Sequence, residues 1–296
     1  MPLSPPPSRG IRFADLDISG KSVQIEYQWI APERRDRPLI VFLHEGLGSI
    51  ALWKDWPEQL CRAVDSRGLV FSRYGYGQST PRPKGEKWPA SYLHDEARHV
   101  LPALFEQLGI DADGPPTILL GHSDGGTIAL LYAAAFPART AGIIVAAPHI
   151  FVEDMMVESL RQARQAYLDT DWGEKLGRYH KDADSVFWTW NNAWLDPAFR
   201  DWNIEDEIAA IRCPVLALQG EQDEYATLDQ IHGIHRQVPQ TEVMAIPDCR
   251  HSPHKDKPQV VEQAVRRFLP RAALFAYSHR KEGTAIQSTG ATGILE

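Results

Sequence analysis

Apolar residues dominate several short stretches of the chain without alternating with polar ones: residues 39–43, 68–73, 118–120, 141–147 and 215–219. A strand of that kind is covered on both faces, which is the mark of a parallel sheet. Residues 242–246 supply one more strand. Between these runs the spacing turns helical. A helix is expected over residues 57–64, opened by Pro57 at a first helical position. Others are expected over 91–108, with Pro102 as a kink, over 127–136, ended before Pro137, over 228–237 and over 258–268. Ahead of them, residues 12–17 and 23–29 read as two strands joined at Ser19-Gly20 in a hairpin. Strands alternating with helices predict an α/β fold with a doubly wound sheet.

Residues 149–206 break that alternation. They hold five of the nine tryptophans, Trp172, Trp188, Trp190, Trp194 and Trp202, among scattered charges. The pattern predicts a few helices packed over the sheet. The expected layout is a core of residues 11–148 and 207–277, an insertion of 149–206, a Pro-rich disordered start over 1–10, and a polar mobile tail over 278–296.

Composition narrows the function classes. With 43% hydrophobic and 24% charged residues the chain suits a globular domain with a sizeable core. A net charge of −8 argues against nucleic acid or an anionic membrane as partner. The basic cluster Arg34, Arg35 and Arg37 sits with Glu33 and Asp36 in a loop, a solvated turn. Three widely spaced cysteines form no disulfide framework, and a reducing cytoplasm is the expected location. The N-terminus lacks the charged start and apolar core of a signal peptide, and no apolar run reaches the ~18 residues of a membrane helix. His232 and His235 lack the H-E-x-x-H form, and Gly75-x-Gly77 lacks a third glycine opening a helix. Neither a metal nor a dinucleotide cofactor is expected.

The chemistry centres on Gly121-His122-Ser123-Asp124-Gly125, a G-x-S-x-G between a strand and a helix. The five letters recur by chance in roughly one chain in ten. The strand before and the helix after give them meaning, because that context exposes a serine on a sharp turn above a sheet. A serine hydroxyl needs a base, and the base a third group that orients it. Two strand ends offer candidates. Asp223 lies in Gly220-Glu221-Gln222-Asp223-Glu224, with Glu221 and Glu224 as competitors. His251 lies in Asp248-Cys249-Arg250-His251-Ser252-Pro253-His254, with His254 as competitor.

On these segments, over about residues 12–270, the chain resembles the α/β-hydrolase family. Gly220 to Asp223 resembles the family's G-x-x-D turn, His251 to His254 its H-S-P-H segment, and Arg73 to Ser79 its R-x-G-x-G-x-S segment. The resemblance implies a mostly parallel eight-stranded sheet with residues 149–206 as a helical cap. It implies Ser123 as nucleophile, Asp223 as acid and His251 as base. It implies an oxyanion hole from the backbone N–H of Asp124 and of Gly46, with Leu47 the nearest competitor for the second place. The loop His44 to Ser49 resembles the family's H-G-x-x-x-S, with Glu45 where glycine is usual. That glutamate either points away from the site or sets its charge against anionic substrates, and His44 orients the loop. A serine in place of aspartate argues against epoxide and haloalkane chemistry. Prolyl iminopeptidases are similar in length and cap placement, but their H-G-G-P-G loop is missing. The expected activity is cofactor-free cleavage of an ester or thioester. The alternatives are hydrolysis of a carbon–carbon bond in a vinylogous diketone and ligand binding without catalysis. The cap tryptophans are explained first by packing within the cap, and second by contact with an apolar or aromatic substrate.

Overall fold

The strands form one eight-stranded sheet: β1 (Ile11–Ile18), β2 (Lys21–Ile30), β3 (Leu39–Leu43), β4 (Arg67–Phe71), β5 (Thr117–His122), β6 (Gly142–Ala146), β7 (Val215–Gly220) and β8 (Thr241–Ile246). The structure is a computed structural model that describes residues 10–110, 114 and 117–289. Apart from Gly10, the Pro-rich start lies outside the described residues, as does the tail beyond 289. The strand order is β1-β2-β4-β3-β5-β6-β7-β8, parallel from β4 to β8, with β2 antiparallel to both its neighbours. Ser19 and Gly20 join β1 to β2 with φ of 54° and 79°, the left-handed pair that a tight two-residue hairpin requires.

Side chains alternate across each strand and sort the core into two layers. Leu39, Val41 and Leu43 of β3 enter one layer, and Ile40 and Phe42 the other. Every residue of β3, β5, β6 and β7 is buried, as a doubly covered sheet demands. Each fully buried Leu or Ile contributes about 1.5–3 kcal/mol. After β3 the chain passes α1 (Ile50–Trp53) and α2 (Trp56–Ala63). After β4 come α3 (Tyr92–Asp95), a π turn over Glu96–Val100 and α4 (Leu101–Gln107). The kink expected at Pro102 takes the form of that π turn: Leu101 N–H reaches Glu96 C=O, five residues back. After β5 comes α5 (Asp124–Ala135).

The insertion between β6 and β7 is helical: α6 (Asp154–Asp169), α7 (Trp172–Leu176), α8 (Ala183–Trp194) and α9 (Glu205–Ile208). The chain ends with α10 (Asp229–Gln237), α11 (Pro253–Asp256) and α12 (Pro258–Thr289). The last helix corrects an expectation. The expected span is 258–268, and the helix continues to Thr289 with Pro270 inside it. Val261, Ala264, Val265, Phe268 and Ala272 anchor it on the sheet, while Leu274 and Tyr277 beyond them are exposed.

His180 ties the insertion to the core. Its Nδ1 accepts from Gly77 N–H at 2.9 Å, and its Nε2–H donates to Leu47 C=O at 3.0 Å. The bond from Gly77 needs the neutral ring, since a protonated Nδ1 cannot accept, and burial lowers the His180 pKa from 6.5 to about 4. Below pH 6.5 the unfolded chain therefore takes up a proton that the folded chain refuses until about pH 4. Stability is lost as pH falls through that window, by at most about 1.4 kcal/mol per pH unit from this group. In urea titrations at pH 7, 5.5 and 4, the stability gap between wild type and His180→Gln should narrow toward acid. A gap independent of pH would refute this role.

Candidate active site

Ser123 follows β5 with φ 52° and ψ −120°, a conformation that L residues rarely adopt and that costs about 1–3 kcal/mol. Its N–H donates to Ala146 C=O at 2.9 Å, and its own C=O accepts from Gly126 N–H at 2.8 Å. Two glycines make the turn possible. A Cβ on Gly121 would stand 2.1 Å from Gly125 O, and one on Gly125 would stand 2.1 Å from Leu43 O. Helix α5 begins at Asp124, three residues before the expected start at Thr127. Gly125 and Gly126 are inside the helix, where close approach to neighbouring backbone and to Pro148 favours glycine over any larger residue.

The loops after β7 and β8 bring Asp223 and His251 together. His251 Nδ1 lies 2.8 and 3.0 Å from the two oxygens of the Asp223 carboxylate. Nδ1 therefore carries the proton, and Nε2 keeps its lone pair. Burial works to raise the Asp223 pKa. The adjacent His251 and the Tyr225 N–H, at 2.9 Å, outweigh it and hold the carboxyl below its usual range. Of the competitors, Glu221 is exposed, and Glu224 accepts the backbone N–H of His251 and pairs with Arg250 instead. His254 is buried against Trp53 and Trp56, with ring centroids 4.8 and 5.2 Å away, and is absent from the cavity that Ser123 and His251 line.

The loop after β3 is held through one carbonyl. Glu45 C=O accepts from His44 Nδ1 at 2.7 Å, Arg73 Nη2 at 3.0 Å and Gly48 N–H at 3.0 Å. A planar trans peptide points N–H opposite to C=O, so the Gly46 N–H is turned away from those donors. His44 Nε2 accepts from Arg73 N–H at 3.0 Å; burial and the Arg73 charge keep this ring neutral, its pKa well below 6.5. Arg73 Nη2 also reaches Asp124 Oδ2 at 3.3 Å, and Tyr92 O–H donates to the same oxygen at 2.9 Å. Both members of that ion pair are 1% exposed.

A cavity of about 280 Å³ connects these parts. Gly46, Ser123, Asp124 and His251 line it on the side of the sheet, and Leu160, Trp172, Trp190 and Trp194 on the side of the insertion. Trp190 lies against Gly46 so closely that a Cβ there would overlap its indole. The tryptophans thus divide between the two accounts. Trp172, Trp190 and Trp194 face the cavity, whereas Trp202 stacks on Phe199 at 5.2 Å. Sequence reasoning missed His149, whose ring stacks on His251 with centroids 5.8 Å apart and whose pKa falls to about 3 by burial. Its place just past the end of β6 was the available signal, because strand ends are where sites form in such sheets.

A parallel sheet, a strained serine turn after its central strand β5 and an Asp–His pair at two further strand ends define the α/β-hydrolase class. The chain belongs to the alpha/beta hydrolase family, whose family model matches residues 40–264. It is similar to a proline iminopeptidase of Thermoplasma volcanium, 25% identical over 62% of this chain and 72% of that protein. It is similar to the mouse sn-1-specific diacylglycerol lipase ABHD11, 25% identical over 78% of this chain and 81% of that protein. Among solved structures it resembles a thermophilic esterase from Thermogutta terrifontis, at 21% identity and a TM-score of 0.66, covering 89% of this chain and 99% of the esterase. That likeness supports the fold.

Proposed function

We propose that the chain is a serine hydrolase cleaving a carboxylic ester or thioester of a small to medium apolar substrate through an acyl-enzyme, without a cofactor. The observation that carries this is the Asp223–His251 pair, its imidazole lining one cavity with the strained Ser123. Ser123 Oγ attacks the carbonyl carbon as His251 Nε2 takes its proton. Asp223 holds the ring and stabilises the imidazolium. The N–H groups of Gly46 and Asp124 receive the developing oxyanion. His251 then protonates the leaving group, and the same nitrogen activates water to release the acid. The cavity's tryptophans favour an apolar or aromatic part next to the carbonyl.

A fluorophosphonate probe with mass mapping of the labelled peptide tests this. Ser123 is expected to carry the label, and His251→Ala to lose it. No labelling of the folded chain would overturn the proposal in favour of ligand binding on the same scaffold. Turnover of vinylogous diketones with no ester or thioester turnover would redirect it to carbon–carbon hydrolysis.

A further inference from the structure

Glu45, the residue in the place of a usual glycine, does not point away from the site. It lines the cavity, and its carboxylate folds over Gly48, where a Cβ would come within 2.6 Å of Oε2. Oε2 lies 3.5 Å from His122 Nδ1, and Oε1 lies 3.7 Å from Lys255 Nζ. With a cation and an imidazole at its two oxygens, the carboxylate is engaged rather than presented to substrates. Burial works to raise its pKa, but His122, Lys255 and His254 hold it well below the usual carboxylate range.

His122 immediately precedes Ser123 and is buried. Its Nε2 lies 2.8 Å from the carbonyl oxygen of His251. A carbonyl only accepts, so Nε2 carries a proton. Nδ1 then faces the Glu45 carboxylate across 3.5 Å. On its remaining side the His122 ring meets Trp53 and His254, with centroids 6.4 and 4.8 Å away. A second line of contacts thus runs from the Gly46 loop, through the neighbour of Ser123, to the backbone of His251. It crosses the ends of β3, β5 and β8, the three places whose relative position decides whether base, nucleophile and oxyanion donor meet.

We propose that Glu45 and His122 are positioning residues, which fix the His251 backbone so that its imidazole meets Ser123 in reacting geometry. The proposal rests on the hydrolase roles assigned above to Ser123 and His251.

Three variants of the full chain test it: His122→Phe keeps a ring and loses the donor, His122→Gln puts an amide N–H near the place of Nε2, and Glu45→Gln removes the charge. Kinetics use p-nitrophenyl butyrate. His122→Phe should lower kcat about 10- to 100-fold with KM changed less than about twofold, since small misplacements cost chemistry rather than binding. His122→Gln should recover most of that loss, and Glu45→Gln should fall between. The second readout is the proton NMR signal of His251 Nδ1–H, which needs no turnover. It should broaden through exchange in His122→Phe and persist in His122→Gln.

Full kcat with an unchanged His251 signal in His122→Phe would overturn the proposal. So would an equal loss of kcat in His122→Phe and His122→Gln that follows their melting temperatures, because that is a packing effect. If the wild type turns over no ester, the hydrolase assignment fails by itself. The NMR arm still decides the positioning: a His251 signal indifferent to His122→Phe refutes it, and a sensitive one supports it.

Discussion

Ser123→Ala should lower kcat for ester hydrolysis by about 10⁶-fold while the chain stays folded. The size follows from how the parts cooperate. Without Oγ no bond forms to the carbonyl carbon, and the His251 imidazole has no proton to accept. The Asp223–His251 pair then contributes nothing, so adding His251→Ala to Ser123→Ala should cost almost nothing more. Only the oxyanion donors and the cavity would act, a residue of about 10³–10⁴ over water. Stability should move the other way. At φ 52° and ψ −120° any L residue is strained, so Ser123→Gly should gain about 1 kcal/mol in urea unfolding, after the entropy glycine loses on folding is counted. Activity lost and stability gained at one position is the signature of strain retained for chemistry. Retained turnover in Ser123→Ala, or no gain in Ser123→Gly, would contradict it.

The main outline of the sheet was legible because its strands are short, apolar throughout and separated by helical spacing. Leu39–Leu43 and Val215–Gly220 could hardly be anything else in a chain of this composition. Ser123 and Asp223 were legible as candidates because each follows such a strand, and His251 because it follows the half-buried β8. Their meeting was not, since nothing in spacing separates Asp223 from Glu224. The structure does so by turning Glu224 toward backbone N–H and Arg250, leaving Asp223 on the imidazole. Helix ends were less legible. Gly125 and Gly126 read as turn residues, yet they lie in α5 for reasons of clearance that no local pattern carries. The helix expected over 258–268 runs on to Thr289, through Pro270, with Phe268 and Ala272 packed on the sheet. Contacts between loops distant in sequence, such as those of Glu45, His122 and His180, were invisible for the same reason.

Arg73 was legible only as a letter in a motif, and its replacement should produce the largest loss of stability. One guanidinium nitrogen, Nη2, holds both the Glu45 carbonyl and the Asp124 carboxylate, and the ring of Tyr76 lies 4.5 Å from the cation. Arg73→Met fills much of the same volume but leaves the Asp124 carboxylate buried with the neutral donors of Tyr92 and Trp194 and no cation beside it. Breaking a buried pair in this way costs about 3–5 kcal/mol, which should lower Tm by about 6–10 °C. Burial already raises the Asp124 pKa with Arg73 in place. Without the cation it rises further, so the folded variant takes up a proton before the unfolded chain does, and the deficit should shrink as pH falls. Adding Asp124→Asn removes the stranded charge and should restore part of the stability, a coupling that a double-mutant cycle measures. It should not restore rate. The Glu45 carbonyl still lacks one of its three donors, the loop that carries the Gly46 N–H is held less firmly, and kcat should stay down about 10²-fold in both variants. If Asp124→Asn rescued rate and stability together, Arg73 would act on the charge alone, and the loop after β3 would owe its shape to His44 and Gly48.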